Sequence, residues 1–494
     1  MMPFRHRSVM MTPVFASLLT VTLSGCGSMQ KELGHDDVAK LVERRSGYRT
    51  GWEKGAPEAK QIAERVDKLL QGGLTRERAV SIALINSPHL QEIYEGLDIS
   101  QADLVQAGLL SNPTISGSVG FPVQGQGKPE FEASIVQSFL DIFMLPLRKR
   151  IAKEQFVAAT LRVAHETLDV ASEVSKALAQ VQSDVETVEL MRRITDAAQA
   201  SADLAQRQFD AGNVSERVRV SELGVYEQAR LDLAQDEMQL VEHREHLNRL
   251  LGLWGPATSW KLTEALPVIP ARDPLPEHLE RVAMKQRLDI GSAKRELALM
   301  DTALGLAKTS RYTGVIDVGA HVHRDPDGPL VVGPTLSLEL PLFDQRQAVI
   351  GRLEAQRRQV QRRVDGLAVD ARSEVRLASA KLALARRSVE QYKKSLLPVR
   401  AAVLEQAQLE YNAMQIGLYE LLAAKQSQVG AVRAYIQMVR DYWIARAELE
   451  RALGGRIPMT NVAPSTPAPS NPNSPPAAVA PSHPDTPAHV HGAQ

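Results

Sequence analysis

The chain has 494 residues, with 58 basic and 58 acidic side chains, 4% aromatics and a single cysteine. The balanced charge excludes the basic footprint of a nucleic-acid binder, the lone cysteine excludes an intramolecular disulfide, and the length allows two or three ordinary domains. So few aromatics are thin for a large globular core but usual in long helices rich in Ala, Leu and Val.

Arg5 and Arg7 precede a mostly apolar run from Val9 to Leu23, the layout of a secretory signal over 1–25. Leu23-Ser24-Gly25-Cys26 looks like a bacterial lipobox, which implies cleavage before Cys26 and acylation of its thiol with diacylglycerol and palmitate. Gly27 stands where many inner-membrane lipoproteins carry a retaining Asp; a free cysteine at an ordinary cleavage site is the alternative. Residues 26–74 then form a lipid-anchored N-terminal segment. No later run reaches the roughly 20 apolar residues of a spanning helix, so any passage through a bilayer must use strands.

The rest of the chain is duplicated. Ala83, Leu90, Leu104 and Ala107 match Ala283, Ile290, Leu304 and Ala307 at an offset of 200. Phe209-Asp210-Ala211 matches Tyr411-Asn412-Ala413 at an offset of 202, as do Arg244, Leu247, Arg249, Leu251 and Gly252 with Arg446, Leu449, Arg451, Leu453 and Gly454. Two repeats follow, 75–253 and 277–455, joined by a Pro-containing linker over 254–276.

Each repeat opens with a short helix and a longer one, from Pro88 to about Leu110 and from Asp289 to about Thr309. Strands come next. Ile115, Val119 and Phe121 alternate with Thr114, Ser116 and Ser118, and a second strand starts at Glu130. Ile316, Val318, Ala320 and Val322 alternate with Asp317, Gly319, His321 and His323; Val332, Leu336, Leu338 and Leu340 alternate with Val331, Thr335, Ser337 and Glu339. Period two puts each set on one face. Pro334 belongs near a strand start, and the turns at Pro122–Pro129 and Arg324–Pro329 are rich in Gly, Pro and Asp.

Long helices follow. Between Leu147 and Ala211 there is no Gly or Pro, and Val157, Leu161, Ala164, Leu168, Ala171, Val174, Leu178, Val181, Val185 and Val188 recur every three or four residues, a coiled-coil seam. In the second repeat Asp344 is the expected N-cap of a helix to about Leu409, interrupted by Gly351, Gly366 and Pro398 and bent near Pro398. The end of the chain, 456–494, is a disordered Pro/Ala/Ser-rich tail. Its His483, His489 and His491 could hold a transition metal weakly, against the plainer alternative of a solvated end.

Strands with one apolar and one polar face, attached to rods that offer little core, are satisfied in lipid if no edge stays unpaired. Four strands cannot close, since transmembrane barrels need about eight or more. Neighbouring copies must complete the wall, three chains giving about twelve strands around a pore lined by Ser116, Ser118, Asp317, His321, His323, Thr335, Ser337 and Glu339.

Gly73-Leu74-Thr75 leading to Ala83-Leu84 and Asn86-Ser87-Pro88, then Ala107-Gly108-Leu109-Leu110-Ser111-Asn112-Pro113, the run Gly333 to Phe343, and Ala447-Glu448-Leu449-Glu450-Arg451-Ala452-Leu453-Gly454 resemble the TolC-like outer-membrane efflux family. The resemblance covers about 75–455. It implies a mainly α fold with a small transmembrane β portion: a homotrimer with a shared twelve-stranded barrel and a periplasmic helical tunnel. It also implies an outer-membrane, lipid-anchored exit duct, with a periplasmic adaptor protein and an inner-membrane pump, of RND type, as partners.

By the same resemblance the turns Ala211-Gly212-Asn213 and Ala413-Met414-Gln415 are the periplasmic tips that meet the adaptor. Met414 departs from the family's usual Gly, which leaves the shape of the second tip open. Glu420 falls on an acidic gate position, with Ala423 at another, and Tyr419 and Leu418 narrow the passage. Three Glu420 carboxylates around an axis would favour cations; a solvated helix glutamate is the alternative.

His321 and His323 share the polar strand face, but no Cys or carboxylate clusters with them, so no metal site is expected; nor is a cofactor or a catalytic set. The histidines favour metal-ion export over drugs or secreted proteins. The competing reading is a lipid-anchored periplasmic coiled-coil adaptor whose strands form a small water-facing sheet.

Overall fold

The structure, a computed structural model, describes residues 34–123 and 128–457; Cys26 and the tail histidines lie outside them. The N-terminal segment forms α1 (His35–Ser46) and α2 (Ala56–Gln71). The first repeat supplies α3 (Arg76–Asn86), α4 (Pro88–Ala107), β1 (Thr114–Gly120), β2 (Glu130–Ser138), α5 (Leu140–Asp210) and α6 (Glu216–Leu251). The second supplies α7 (Leu279–Gln286), α8 (Leu288–Thr309), β3 (Ile316–Arg324), β4 (Leu330–Leu338), α9 (Gln347–Gln391), α10 (Leu397–Asn412) and α11 (Leu418–Leu453).

Helix α5 has 71 residues, roughly 105 Å at 1.5 Å per residue. It starts before the expected Leu147, because the chain turns straight from β2 into helix: the Phe139 N–H donates to the Ile316 carbonyl at 2.9 Å. Pro146 therefore lies inside the helix, leaving the Ile142 carbonyl without its usual partner. Of the expected seam, Ala164, Ala171, Val174, Leu178, Val181 and Val188 are buried, while Val157, Leu161, Leu168 and Val185 are only half-buried. Between Val170 and Val188 burial spreads around most of the helix, because α3, α6 and α11 all pack on it.

The counterpart in the second repeat differs from expectation at three points. Asp344 is no helix cap; its Oδ1 accepts the Arg346 N–H at 2.8 Å, and Arg346, at φ 57°, is the residue before the helix. Gly351 and Gly366 do not break α9. The interruption is a π-helical turn, Tyr392–Leu396, immediately before Pro398 in the first turn of α10. Pro398 cannot donate to the carbonyl of Lys394 and would crowd it, and a wider turn relieves both problems. Along α9 only Ala371, Val375, Ala378, Leu382, Ala385 and Val389 are buried, a seam one residue wide.

Two hydrophobic clusters hold the helices. The first joins Val38, Val42, Trp52 and Val66 of the N-terminal segment to α3, α4 and the first part of α5. The second joins α7, α9 and α11 around Tyr442, Leu449 and Leu453. The segment after α6 runs along both. Trp260 is buried in the first cluster and donates to Asn248 Oδ1 at 2.7 Å, Leu74 pairs with Leu262, and Trp443 donates to the Pro267 carbonyl at 2.8 Å.

The duplication extends to the helix ends. Gly252 and Gly454 end α6 and α11 in the left-handed conformation, at φ 67° and 74°. Arg244 donates to the carbonyls of Thr258 (3.3 Å) and Trp260 (3.0 Å), and its equivalent Arg446 to that of Ile457 (3.3 Å), so each arginine ties down the strand of chain leaving its helix. A side chain at Gly252 would meet the Asn86 carbonyl at 2.4 Å, whereas one at Gly255, also at positive φ, meets nothing. Gly255→Ala should cost only the left-handed backbone term, about 1–2 kcal/mol, and Gly252→Ala clearly more; thermal midpoints of the detergent-extracted variants measure the difference.

Candidate functional site

The four strands make one antiparallel sheet in the order β1-β2-β3-β4. Strands β2 and β3, from different repeats, pair at its centre, and β1 and β4 are its edges. Opposite residues in such a ladder point to one side, so the register sorts the side chains. Ser116 lies opposite Ser134, Ser118 opposite Glu132, Glu132 opposite His323, Gly319 opposite Thr335, and Asp317 opposite Ser337. Seven of the expected pore residues, Ser116, Ser118, Asp317, His321, His323, Thr335 and Ser337, thus share one face. Ser116 Oγ and Ser134 Oγ are 2.8 Å apart, and His321 Nδ1 is 3.1 Å from Thr335 Oγ1. Glu339 lies just past β4, where its carboxylate accepts the Val315 N–H at 3.2 Å.

The other face carries Ile115, Val119, Phe131, Ile135, Val318, Val322, Val332, Leu336 and Leu338. It is bare: Ile115 is 76% exposed and Leu336 71%. Among the described residues, none from the sheet belongs to either hydrophobic cluster. Pro334 sits mid-strand opposite Ala320, not near the strand start. It is tolerated because β4 is an edge, where a missing N–H costs less than in a central strand.

Carboxylates do cluster with one of the two histidines, contrary to the sequence expectation. His323 Nε2 is 2.8 Å from Asp325 Oδ1, and its Nδ1 is 3.8 Å from Glu130 Oε1. Both acids lie at hairpin ends, and only the pairing of β2 with β3 brings Glu130 to the histidine. That register joins two repeats and is invisible in either alone. His321 is not part of the cluster.

The two helix turns have the same backbone. Gly212 N–H donates to Phe209 and Asn213 N–H to Gln208, both at 2.8 Å; Met414 N–H donates to Tyr411 at 3.0 Å and Gln415 N–H to Glu410 at 2.8 Å. Gly212 has φ 78° and Met414 φ 59°, so Met414 takes the left-handed shape despite its side chain. Just beyond, Glu420 Oε2 accepts the Gly417 N–H at 2.7 Å, capping α11, while Tyr419 is 83% exposed.

Away from the sheet, buried charges join elements. Arg287 binds Asp289 (2.7 Å) and Glu374 (2.5 Å), linking α8 to α9. Burial alone would raise the Asp289 pKa, but the Arg287 hydrogen bonds and charge outweigh it and hold the carboxyl below its usual range. Asp236, buried on α6 and paired with Arg433 of α11, goes the other way: burial raises it more than Arg433 lowers it. Arg287, Glu374 and Asp236 were not legible as a set, since each pair joins distant segments.

An open-edged sheet with one lipid-suited face, carried on helices of this length, is the architecture of an outer-membrane channel subunit. The family profile described as outer membrane efflux protein matches residues 79–253. The cobalt-zinc-cadmium resistance protein CzcC of Cupriavidus metallidurans is 25% identical over 400 residues, 78% of this chain and 90% of that one. Among solved structures, CusC superposes with TM-score 0.66 at 19% identity, covering 79% of this chain and 92% of that one. The CmeC outer membrane channel of Campylobacter jejuni does so with TM-score 0.66 at 16% identity, covering 85% and 92%.

The chain is similar to the TolC-like outer membrane efflux proteins, with the family match falling on residues 79–253 and the shared fold extending over most of the chain. It is a passive outer-membrane channel with a periplasmic helical portion, not an enzyme.

The strain at Met414 is testable. Met414→Gly should relieve about 1 kcal/mol of left-handed backbone cost and slow amide hydrogen exchange across 411–417. Unchanged exchange would mean that Met414 carries no strain.

Proposed function

We propose that three copies of this chain build the exit duct of a tripartite efflux system, anchored by an acylated Cys26. The duct takes substrate from a periplasmic adaptor protein and an inner-membrane pump of RND type, and divalent metal cations are among its cargo. The single observation that carries the reading is the bare apolar sheet face with two unpaired edges, which water leaves unsatisfied and a lipid-embedded barrel satisfies. A water-facing sheet, as the adaptor reading requires, would cover that face with a core.

Assembly from copies has further support in the helices. Val369, Leu377 and Leu384 are exposed at seven- and eight-residue intervals along α9, as are Leu223, Leu231 and Met238 along α6. Such stripes suit packing against neighbouring helices. Metal cargo is supported by the likeness to CzcC and by the histidines on the polar sheet face, which lines the pore.

The tips at Ala211-Gly212-Asn213 and Ala413-Met414-Gln415 meet the adaptor. Glu420, with Tyr419 and Leu418, narrows the periplasmic entrance, its carboxylate serving both the helix cap and a ring of charge. Glu420→Gln keeps a hydrogen-bond acceptor for Gly417 and removes the charge, so it should raise single-channel conductance and weaken block by multivalent cations. Glu420→Ala should do the same and also fray the helix start. Recordings unchanged in both variants would remove Glu420 from the gate.

The duct itself is tested by extraction and assembly. Unheated protein should run on detergent gels as a trimer that heating dissociates, and release as a soluble monomer once the anchor is removed would reject the duct. Leu336→Arg, on the apolar face, should cost about 2–4 kcal/mol in lipid and sharply reduce the trimer. Ser337→Arg, on the opposite face, should leave the trimer intact and alter conductance.

A further inference from the structure

We propose that Glu130, His323 and Asp325 form a low-affinity site for a divalent transition-metal cation at the turn end of the sheet. The site's place on the export route rests on the duct reading above; its chemistry does not. The three residues each offer one ligand atom, and these atoms lie within 4.8 Å of one another.

The register assembles them. Phe131 pairs with Arg324 and Glu132 with His323, so Glu130 comes opposite Asp325 one step beyond the last rung. Residues two apart share a face, which puts Glu130, His323 and Asp325 together on the polar side, with Glu132 beside them. Glu130 belongs to the first repeat and the other two to the second, so neither hairpin holds the set by itself.

The donor set selects the ion class. One imidazole nitrogen and two carboxylate oxygens suit Zn²⁺ or Co²⁺, whereas Ca²⁺ and Mg²⁺ prefer oxygen alone. Lys128, the cation next to Glu130 in sequence, is engaged with Asp327 at 3.6 Å, and Arg324 is on the other face by register. The side chains of His323, Glu130 and Asp325 are 30%, 53% and 66% exposed. Three ligands in so open a place leave coordination positions for water and hold an ion weakly.

Weak holding is what a conduit can use, since an ion on a conduction path must leave as readily as it enters. Both acids sit at the hairpin turns, the end of the sheet remote from α5 and α8. In a trimeric barrel that end is the outer mouth, ringed by three such sites.

The test uses the full chain in detergent, with His483→Ala, His489→Ala and His491→Ala together silencing the tail. Cobalt(II) is titrated at neutral pH, followed by visible absorption and equilibrium dialysis. One cobalt per chain is expected. His323→Gln should weaken binding about tenfold or more, Glu130→Gln and Asp325→Asn each about three- to tenfold, and His321→Gln less than about twofold.

Unchanged affinity in His323→Gln, an equal loss in His321→Gln, or displacement of cobalt by an equal concentration of Mg²⁺ would each overturn the site. Bilayer conductance of the same tail-silenced protein separates this from the duct: a conducting channel that binds no cobalt sinks the site alone, and a cobalt-binding chain that never conducts sinks the duct alone.

Discussion

Unpaired backbone is the constraint on which everything else depends. Each edge strand of the four-stranded sheet presents N–H and C=O groups with no partner in its own chain. In hydrocarbon each such group costs several kcal/mol, so an open sheet there is unstable until its edges meet another chain. The same strands cannot retreat into water, because their apolar face finds no core to cover it. Closure with neighbouring copies, as proposed, answers both demands. The proline in β4 leaves one position on that edge without a donor, which would make a seam between chains poorer by one bond there.

The helical part obeys a different logic, in which each repeat is locked to its own chain end at matching points. Arg244 and Arg446 clamp the chain leaving their helices, and Gly252 and Gly454 let those helices end where Asn86 and Arg287 come close. The N-terminal segment fastens the far end: Arg45 reaches the Gly454 carbonyl at 3.1 Å, and its own carbonyl accepts the Arg456 N–H at 2.8 Å. Arg76, next in line, pairs with Glu450 at 2.6 Å. These contacts hold the start and finish of the helical portion together without help from the sheet.

Much of this was legible in the sequence because it is periodic. Alternation gave the strands and their faces to within a residue or two, and the offset of 200 to 202 gave the duplication. What could not be read was whatever depends on joining the repeats. The β2–β3 register, which places Glu130 beside His323, needs both hairpins at once. The breadth of burial around α5 comes from several helices packing on one rod, so a single seam understated it. Local chemistry misled in two places: the Gly- and Pro-free stretch suggested a helix start at Leu147 and Asp344 looked like a cap, yet the strand-to-helix turn at Phe139 and the Asp344–Arg346 hydrogen bond decided both.

The unequal length of the two repeats is absorbed in a connection and not in the rods. From the end of the second strand in each repeat to the tip residue, the second repeat is two residues longer, as the offsets 200 and 202 record. Its rod, residues 347–412, is nevertheless shorter than α5, and the surplus lies in residues 339–346 before it, where the first repeat has Phe139 alone. In a regular helix one added residue swings every later side chain by about 100° around the axis. Length added ahead of a helix spares the rod that rotation, and the second tip ends with the same backbone form as the first.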